Sequence, residues 1–505
     1  MTVKRLFLTL QFGVAAALGV TSTATSAATV PDLEQAVDRF VESQRDKHGI
    51  PGIAVAIVEE GRIVHAEGYG SAGGGRSMTA DTPMHIGSTT KVFTAVAILQ
   101  LVEQSDVGLD APVRTYLPWF RVADDEASRT ITVRDLLNHT SGLSELGYNR
   151  VLSAATSLEE GVRDLASARS TEPVGETLQY FNPNYATLAL IIETVSGGTF
   201  EEFVTERIFE PLDMSRSFVN QDDARDAGMA QGHGRFFGLS IARDQPFLPA
   251  RTGAANIIST ATDLSRFLIA LDNGGVHDGA RILSAESVRL MRSATVEVGD
   301  AAYGLGWAVA APSDGERWEG HGGLVETFST DLALLPREHR GFVWLMNQAH
   351  ILDPARIQLS RGMRDLVQGR EPDSGGMSMK TLGLLILTVL IVLVAFAVRS
   401  FLKLRRWTER SRTMSRWGVA WKIAPHVIVP VVVLAVAYRL MGPLVLGEPR
   451  AFNFRNVGFY YMPDVTLVIL LAVIPGLVQA AYMSAAVAVD RVIKPAVREN
   501  RDNDS

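Results

Sequence analysis

The sequence predicts an α+β protein, in which an antiparallel sheet flanked by helices carries an inserted helical subdomain and is followed by three transmembrane helices. Strand-like alternation occurs at the two ends of the first 370 residues, over 53–69 and again over 303–346. Residues 106–300, between these ends, have mostly helical or loop patterns. Strands at both ends with helices between them favour one sheet and a separate helical subdomain.

Apolar periodicity places the elements of this domain. Residues 31–47 have helical periodicity, residues 53–58 and 62–69 predict a β-hairpin, and residues 354–367 predict the helix that closes the domain. Further helices are predicted to start at Ser88 and to cover 132–137, 158–169, 185–196, 200–208 and 261–271. Residues 29–370 are therefore expected to form one domain with a helix at each terminus.

The N-terminus has the pattern of a secretory signal. Lys4 and Arg5 precede an apolar run over 6–20, and small residues follow up to Ala28. We predict a signal peptide over residues 1–28, with an uncleaved membrane anchor as the alternative. The chain contains no cysteine, which excludes disulfides, thiolate metal sites and a cysteine nucleophile but does not identify the compartment.

Beyond a short predicted linker at 371–380, the sequence becomes that of a membrane protein. The apolar stretches long enough to span a bilayer are 381–398, 423–446 and 465–489. The loop between the first two contains eight Lys or Arg residues and one acid, so the positive-inside rule places it in the cytoplasm. We therefore predict a multi-pass protein of the cell (inner) membrane, with residues 29–370 on the periplasmic or extracellular side and residues 490–505 as a cytoplasmic tail.

Charge is unevenly distributed between the domain and the membrane region. Residues 29–379 carry 30 Lys and Arg against 48 Asp and Glu, a net charge of −18, whereas the rest of the chain has a net charge of +11. An acidic domain argues against nucleic acid as a partner. The sequence has no glycine-rich phosphate loop and no metal-ligand cluster, so no cofactor and no metal are expected.

The stretch Gly87-Ser88-Thr89-Thr90-Lys91 carries the strongest chemical signal. An apolar-periodic run over 92–101 follows it, which predicts a helix with Ser88 in its first turn. Residues three apart share a helix face, so the Ser88 hydroxyl and the Lys91 amine can be neighbours. A lysine can take the serine proton when burial or another cation lowers the pKa of its amine. The alternative is a helix start with a solvated lysine, and the same spacing recurs at residues 400–403.

Two further motifs supply companions for this pair. Tyr180-Phe181-Asn182 offers a phenol, which loses its proton more easily beside a lysine cation, and an amide that can both donate and accept. His321-Gly322-Gly323 lies between two strand-like runs, 316–320 and 324–335, where glycines allow a substrate backbone to approach closely. Taken singly, the first motif is also compatible with a loop tyrosine and a turn asparagine, and the second with a β-bulge or turn.

In this order, the three motifs resemble those of the serine hydrolases related to class C β-lactamases and penicillin-binding proteins, in which a Ser-x-x-Lys signature occurs. The similarity covers about residues 31–370. It includes the segments Pro51–Val58 with Gly61, Leu136–Leu143, Ser259–Leu264 and Tyr303–Trp307. The resemblance implies a β-lactamase/transpeptidase-like fold, with the site between the sheet and the helical subdomain.

The resemblance also implies a role for each motif residue. Ser88 would be the nucleophile, Lys91 and Tyr180 would share the role of base, and Tyr180 would protonate the leaving group. Asn182 would orient the acyl side of the substrate. The backbone N–H groups of Ser88 and of Leu324, which directly follows His321-Gly322-Gly323, would form the oxyanion hole.

Three departures from the class C β-lactamase pattern bear on the substrate. His321 replaces a lysine that helps to hold an anionic group, Glu326 is expected to add a negative charge near the site, and Phe181 replaces a small residue. We therefore expect a membrane-anchored serine hydrolase of the esterase or D-amino-acid peptidase type, acting on small-molecule or peptide acyl substrates, cell-wall-derived compounds among them. A β-lactamase or penicillin-binding carboxypeptidase is the first alternative. A non-catalytic, membrane-tethered binding or sensing protein on the same fold is the second.

Overall fold

A nine-stranded antiparallel sheet is the largest element of the main domain, which we define as residues 30–370. The structure, a computed structural model, describes residues 30–145, 147–148, 155–293, 295–298, 301–310, 317–437, 458 and 461–490. The strands are β1 (Gly52–Glu59), β2 (Arg62–Gly73), β3 (Arg76–Ser77), β4 (Met84–His85), β5 (His233–Phe236), β6 (Leu239–Ala242), β7 (Ile258–Ser259), β8 (Val276–His277), β9 (Ala280–Arg281), β10 (Val296–Val298), β11 (Ala301–Tyr303), β12 (Ala308–Ala310), β13 (Trp318–Leu324), β14 (Ser329–Leu335) and β15 (Arg340–Met346). The sheet has the order β10-β11-β12-β13-β14-β15-β1-β2-β3, and the short strands pair as β4 with β7, β5 with β6 and β8 with β9.

Helices at the termini and in the middle of the main domain surround this sheet. They are α1 (Val30–His48), α2 (Thr90–Glu103), α3 (Asp125–Thr130), α4 (Val133–Leu137), α5 (Leu158–Arg163), α6 (Asn182–Ser196), α7 (Phe200–Val204), α8 (Gln221–Asp226), α9 (Ala261–Asp272), α10 (Ala285–Met291) and α11 (Pro354–Val367). Side-chain caps fix several of their starts. Thr132 and Thr199, for example, form capping boxes at α4 and α7, in which each satisfies a backbone N–H that the first turn leaves unpaired.

Strand β1 lies inside the sheet, between β15 and β2, and its two faces contact two different parts of the core. Ile53, Val55 and Ile57 pack in the cluster that contains residues of α1 and α11. Ala54 and Ala56, on the opposite face, belong to the larger cluster that includes α2, α6 and α9. The side-chain period of two in a strand produces this division, because alternate residues point to opposite faces. The large core therefore lies between the sheet and the helical part of the domain.

The predicted elements are confirmed with shifts at their ends, and one pair of strands is corrected. The helix expected over 158–169 ends at Arg163 and continues as a 3-10 turn, and the helix expected over 200–208 ends at Val204 and continues as a π turn. The strands expected at 316–320 and 324–335 are in fact β13 and β14. His321-Gly322-Gly323 thus lies inside a strand, because pairing with β14 along its whole length overrides the low strand propensity of glycine.

Within the part of the chain that the structure describes, three C-terminal helices are long and apolar enough to cross a membrane: α12 (Met379–Leu404), α14 (Arg416–Val436) and α15 (Pro463–Ala488). A short helix, α13 (Trp407–Arg412), lies between the first two. The span expected at 423–446 starts earlier, and its end lies outside the described residues, as do the predicted signal at 1–28 and residues 491–505. Polar contacts join the helices, since Ser400 Oγ donates to Gln479 Oε1 at 2.6 Å and the Trp407 indole donates to the Met483 carbonyl at 3.0 Å.

The first turns of α12 and α15 both pack on the main domain. Lys380 Nζ donates to the Asp46 carbonyl at 2.8 Å, next to the end of α1. At the start of α15, Asp464 Oδ1 lies 3.2 Å from His350 Nε2, and both side chains are fully buried. The predicted linker is also fixed, because Lys47 Nζ donates to the carbonyl of Ser374 at 2.6 Å. The N-terminal ends of α12 and α15 therefore lie on the same side of the helix group, against the main domain.

Candidate active site

Ser88 lies in a 3-10 turn, Gly87–Thr89, that leads directly into α2. The residue is partly exposed, whereas its neighbours on both sides are buried. Gly87 has a φ of +55°, and a Cβ atom there would lie 2.7 Å from the backbone nitrogen of Leu324. Only glycine fits both that conformation and that close approach. The turn therefore presents the Ser88 hydroxyl beside the C-terminal end of β13.

Lys91, one helical turn further on, is fully buried beneath Ser88. Its Nζ lies 3.2 Å from Ser88 Oγ, and it donates to Asn182 Oδ1 at 2.8 Å and to the Ala254 carbonyl at 2.9 Å. Burial lowers the pKa of the Lys91 amine well below its usual value, and the positive charge of Arg251 lowers it further. Lowering the pKa of an amine that lies next to a serine hydroxyl makes the amine better suited to take the hydroxyl proton as a general base.

The Tyr180–Asn182 segment closes the other side of Lys91. Asn182 is the first residue of α6, which directs its side chain to the amine. The Tyr180 ring is also close, because Lys91 Nζ lies 4.8 Å from its centroid. Both residues of the Tyr-x-Asn motif therefore lie against the same nitrogen atom.

His139 holds the Tyr180–Asn182 segment from behind. Its buried ring stacks at 4.3 Å, centroid to centroid, on the ring of Tyr180. The backbone N–H of Phe181 donates to His139 Nδ1 at 3.2 Å, so this nitrogen is an acceptor. His139 itself has a φ of +62°, a conformation that exists only where the surroundings impose it. This histidine belongs to the Leu136–Leu143 segment and acts on the site through Tyr180.

Strand β13 forms the third wall of the site. Thr89 Oγ1 donates to the His321 carbonyl at 3.2 Å and so ties the strand to the Ser88 turn. A Cβ atom on Gly323 would lie 1.9 Å from the Ile86 carbonyl oxygen, so glycine is required for the strand to pass this close. The structure thus brings the predicted site residues His321 to Leu324 to the same place as Ser88, Lys91 and Tyr180.

His321 is buried in a neutral form. Its Nδ1 lies 2.7 Å from the Gly322 carbonyl, which can only accept, so Nδ1 carries the proton. Its Nε2 then accepts from the Tyr303 hydroxyl at 3.0 Å. Burial and the nearby charge of Lys91 lower the pKa of His321 to about 3. The histidine therefore supplies no positive charge at neutral pH.

Residues 37–361, well over half of the chain, match the family described as Beta-lactamase. The chain belongs to the Beta-lactamase family.

The chain is similar to proteins that are named penicillin-binding proteins or their homologues. It is 32% identical to penicillin-binding protein 4 of Amycolatopsis lactamdurans over 306 residues, which cover 57% of this chain and 77% of the relative. It is 27% identical to protein flp of Staphylococcus aureus strain COL over 320 residues, and this covers 63% of each, less than two thirds of that relative. An octameric penicillin-binding protein homologue from Pyrococcus abyssi superimposes with a TM-score of 0.60 at 27% identity, over 69% of this chain and 79% of that chain.

Glu326, expected from the sequence to add a free negative charge to this Beta-lactamase family site, is paired instead. Its carboxylate is buried, lies 2.7 Å from Arg251 Nη1 and accepts from Gln245 Nε2 at 2.5 Å. Burial acts to raise the pKa of Glu326, but Arg251 and Gln245 outweigh it, and the pKa lies below its usual value. The expectation was wrong because Arg251, 75 residues earlier in the chain, neutralises the charge.

Replacing Arg251 with methionine is expected to shift the acid limb of the kcat/KM profile to higher pH. Without the guanidinium, and with Glu326 left unpaired, Lys91 holds its proton to a higher pH and is a competent base over a narrower range. The variant should also lose about 3–5 kcal/mol of stability, as is typical for one half of a buried ion pair. The measurements are pH profiles with a soluble ester and thermal unfolding of the detergent-solubilised protein. Arg251→Met combined with Glu326→Leu should recover stability, and an unshifted profile in Arg251→Met would contradict the coupling.

Several groups that shape this Beta-lactamase family site carry no recognisable signal in the sequence. Arg251 and Gln245 lie in a segment without a recognisable motif, so no sequence signal indicated them. Tyr303 belongs to a segment that carried the family resemblance, but nothing in the pattern indicated that its hydroxyl pairs with His321. The Ala254 carbonyl that accepts from Lys91 is a backbone group, which a residue pattern cannot indicate.

Proposed function

We propose that this protein is a membrane-anchored serine hydrolase that acts outside the cytoplasm on esters or peptides through an acyl-serine intermediate. The observation that carries the proposal is the buried Lys91 amine, which lies 3.2 Å from Ser88 Oγ with its pKa lowered. Membership of the Beta-lactamase family supports the reaction class. The three apolar helices support the anchor.

The first half of the proposed reaction forms the acyl-serine ester. Ser88 Oγ attacks the substrate carbonyl while Lys91, with Tyr180 beside it, takes the hydroxyl proton. The negative charge that develops on the carbonyl oxygen is stabilised by the backbone N–H groups of Ser88 and Leu324. Collapse of the tetrahedral intermediate breaks the ester or amide bond, and the leaving group departs with the proton that Tyr180 returns to it.

The second half of the reaction releases the acyl group. A water molecule attacks the acyl-serine ester after losing a proton to the same Lys91 and Tyr180 pair. The Ser88 oxygen leaves and regains a proton, and the carboxylic acid product dissociates. Asn182 holds Lys91 through both halves, because its Oδ1 atom accepts from the amine at 2.8 Å.

A fluorophosphonate probe and a substrate panel test this proposal. The full-length protein, purified in detergent, is expected to react covalently with the probe and to hydrolyse a short-chain p-nitrophenyl ester or a D-amino-acid peptide. Preferred hydrolysis of a chromogenic cephalosporin would support the β-lactamase alternative instead. If the protein shows no labelling and no hydrolysis, the result would indicate the non-catalytic binding protein.

His321→Lys is expected to raise β-lactam acylation by about tenfold or more. The native histidine is neutral and hydrogen-bonded, so it offers little to the carboxylate of a β-lactam. A charge contact at about 4 Å and an effective dielectric constant of about 20 is worth on the order of 4 kcal/mol. A third of that energy already corresponds to about a tenfold change in rate or affinity. The measurement is kcat/KM for a cephalosporin against a p-nitrophenyl ester, with His321→Gln as the neutral control, and equal gains in both variants would contradict the role of charge.

Labelling of single introduced cysteines in intact cells is expected to show that the main domain lies outside the cytoplasm. Ser374, before α12, and Thr413, between α12 and α14, are both exposed, and the native chain has no thiol. In intact cells, Ser374→Cys should react with an impermeant maleimide and Thr413→Cys should not. Permeabilised cells provide the control, because Thr413→Cys should then react. The opposite pattern in intact cells would reverse the proposed orientation.

A further inference from the structure

The hairpin β5–β6 presents an apolar face that nothing in the described structure covers. Among the described residues of the main domain, the exposed large apolar side chains are Leu239 at 68%, Ile241 at 49% and Phe247 at 41%. All three lie within nine residues of one another. Soluble surfaces do contain scattered apolar residues, but a cluster confined to one hairpin and the segment after it marks an interaction site.

Strand alternation explains why this face points outward. Ser240, between Leu239 and Ile241, faces the protein, where its hydroxyl donates to Gln348 Oε1 at 2.6 Å and lies 3.2 Å from the Gly49 carbonyl oxygen. Its partner across the hairpin, Arg235, is 2% exposed. The polar face of the hairpin is therefore fixed inward, and the period of two turns Leu239 and Ile241 away from the domain.

The turn of the hairpin lies between the first turns of α12 and α15. A Cβ atom on Gly238 would lie 3.0 Å from the Met379 carbonyl, and one on Gly383 would lie 2.2 Å from the Phe237 backbone, so the turn packs directly on α12. On the other side, the backbone N–H of Phe237 donates to Asp464 Oδ2, in the first turn of α15, at 3.0 Å. The hairpin thus lies at the level where two candidate membrane helices begin.

We propose that the hairpin inserts Leu239 and Ile241 into the outer leaflet of the bilayer, beside α12 and α15. The occupant of the apolar face is lipid, because the hairpin turn packs on Gly383 of α12, and the next residues of that helix, Leu384 and Leu385, are 62% and 50% exposed. A short apolar hairpin at the boundary of two membrane helices has the length and chemistry of an interfacial element.

The same hairpin connects the membrane surface to the candidate active site. At its start, the His233 backbone N–H donates to the Thr327 carbonyl. Just after its end, Gln245 Oε1 accepts from the Thr327 backbone at 3.1 Å, three residues beyond Leu324. Tyr461, which precedes α15, lies within hydrogen-bonding reach of Glu326. With the proposed function as its basis, this geometry assigns the enzyme amphiphilic acyl substrates that reside in the membrane.

Depth-dependent fluorescence quenching tests the insertion without requiring activity. Full-length Leu239→Cys, labelled with a nitrobenzoxadiazole dye, is reconstituted in vesicles of equal parts phosphatidylcholine and phosphatidylglycerol, with and without nitroxide-labelled lipid. Strong quenching is expected at this position. Arg62→Cys is the control, because Arg62 lies at the far end of β1 and β2 from the hairpin. It pairs with Glu59, which is seven residues, or roughly 23 Å, along β1 from Gly52 at the end near the hairpin. Equal, weak quenching at both positions would overturn the proposal.

Charged substitutions test the substrate class. Leu239→Glu combined with Ile241→Glu should lower kcat/KM for a long-chain p-nitrophenyl ester dissolved in the vesicles by about tenfold or more, because carboxylates do not enter the acyl region. Hydrolysis of soluble p-nitrophenyl acetate should not change. Arg62→Glu makes the same change of two charge units and should affect neither ester. An equal loss with both esters, or no loss with either, would overturn the membrane-substrate assignment. Absence of hydrolysis in the unmodified protein would instead refute the proposed function and leave the quenching result standing.

Discussion

Ser88→Ala is expected to abolish covalent labelling by a fluorophosphonate probe. Ser88 Oγ is the hydroxyl that lies beside the buried Lys91 amine, and alanine removes the atom that would form the bond to phosphorus. Hydrolysis of esters should fall by orders of magnitude, because a nucleophile and its base act as a unit. The measurements are gel fluorescence of the labelled protein and kcat/KM for a short-chain p-nitrophenyl ester.

The second Ser-x-x-Lys sequence in the chain provides the matched control. Ser400 lies in α12, where its hydroxyl donates to Gln479 at 2.6 Å, far in sequence from the main domain. Ser400→Ala should therefore retain labelling and hydrolysis. Undiminished labelling of Ser88→Ala would disprove the acyl-serine mechanism, and loss of labelling in Ser400→Ala would point to a requirement for the membrane helices.

Lys91→Ala is expected to lower kcat/KM by roughly 10²–10⁴, the usual cost of losing a general base. Tyr180→Phe should have an effect of the same order, because it keeps the ring beside Lys91 Nζ but removes the hydroxyl that would share the proton. Because the two side chains would handle one proton together, the double variant should be little worse than the worse single variant. Losses that multiply would mean that the two residues act independently.

The pH dependence of the unmodified protein provides a further check on Lys91. The amine is a base only when it is neutral, so kcat/KM should rise as pH increases through the pKa of Lys91. Burial and Arg251 lower that pKa, which moves the rise to lower pH than an exposed lysine would give. In Tyr180→Phe this rise of kcat/KM with pH should remain. In Lys91→Ala the rise should be absent from the residual activity.

Most of the fold could be predicted from the sequence because its signals are local. The alternation of Ile53, Val55 and Ile57 with alanines indicates a strand that buries both faces, and the period of 3.6 residues over 354–367 indicates the closing helix. The position of His321 inside β13 could not be predicted in the same way. A sequence of histidine and glycines has no strand signal of its own, and the strand exists because β12 and β14 pair with it.

The candidate site could be inferred from residue type and spacing as far as Ser88, Lys91, Tyr180 and Asn182, which the structure brings together. It was not predicted where the chemistry depends on tertiary contacts. The Glu326 carboxylate looked like an unpaired anion because its partner, Arg251, is distant in sequence and belongs to no motif. The lowered pKa of His321 likewise depends on its burial and on the nearby Lys91, which only the folded chain brings together.

The contacts of Lys47 with the linker limit how far the main domain can move from the three C-terminal helices. A free linker over residues 371–377 could extend to about 25 Å. It would act as a flexible tether and let the main domain move through the solution above the membrane. Lys47 Nζ instead holds the carbonyls of Ser374 and Gly375 at 2.6 and 2.7 Å, and the hairpin turn is held between α12 and α15. With the helices embedded as proposed, the main domain stays at a fixed height above the bilayer, and the proposed membrane substrates would reach it by lateral diffusion in two dimensions.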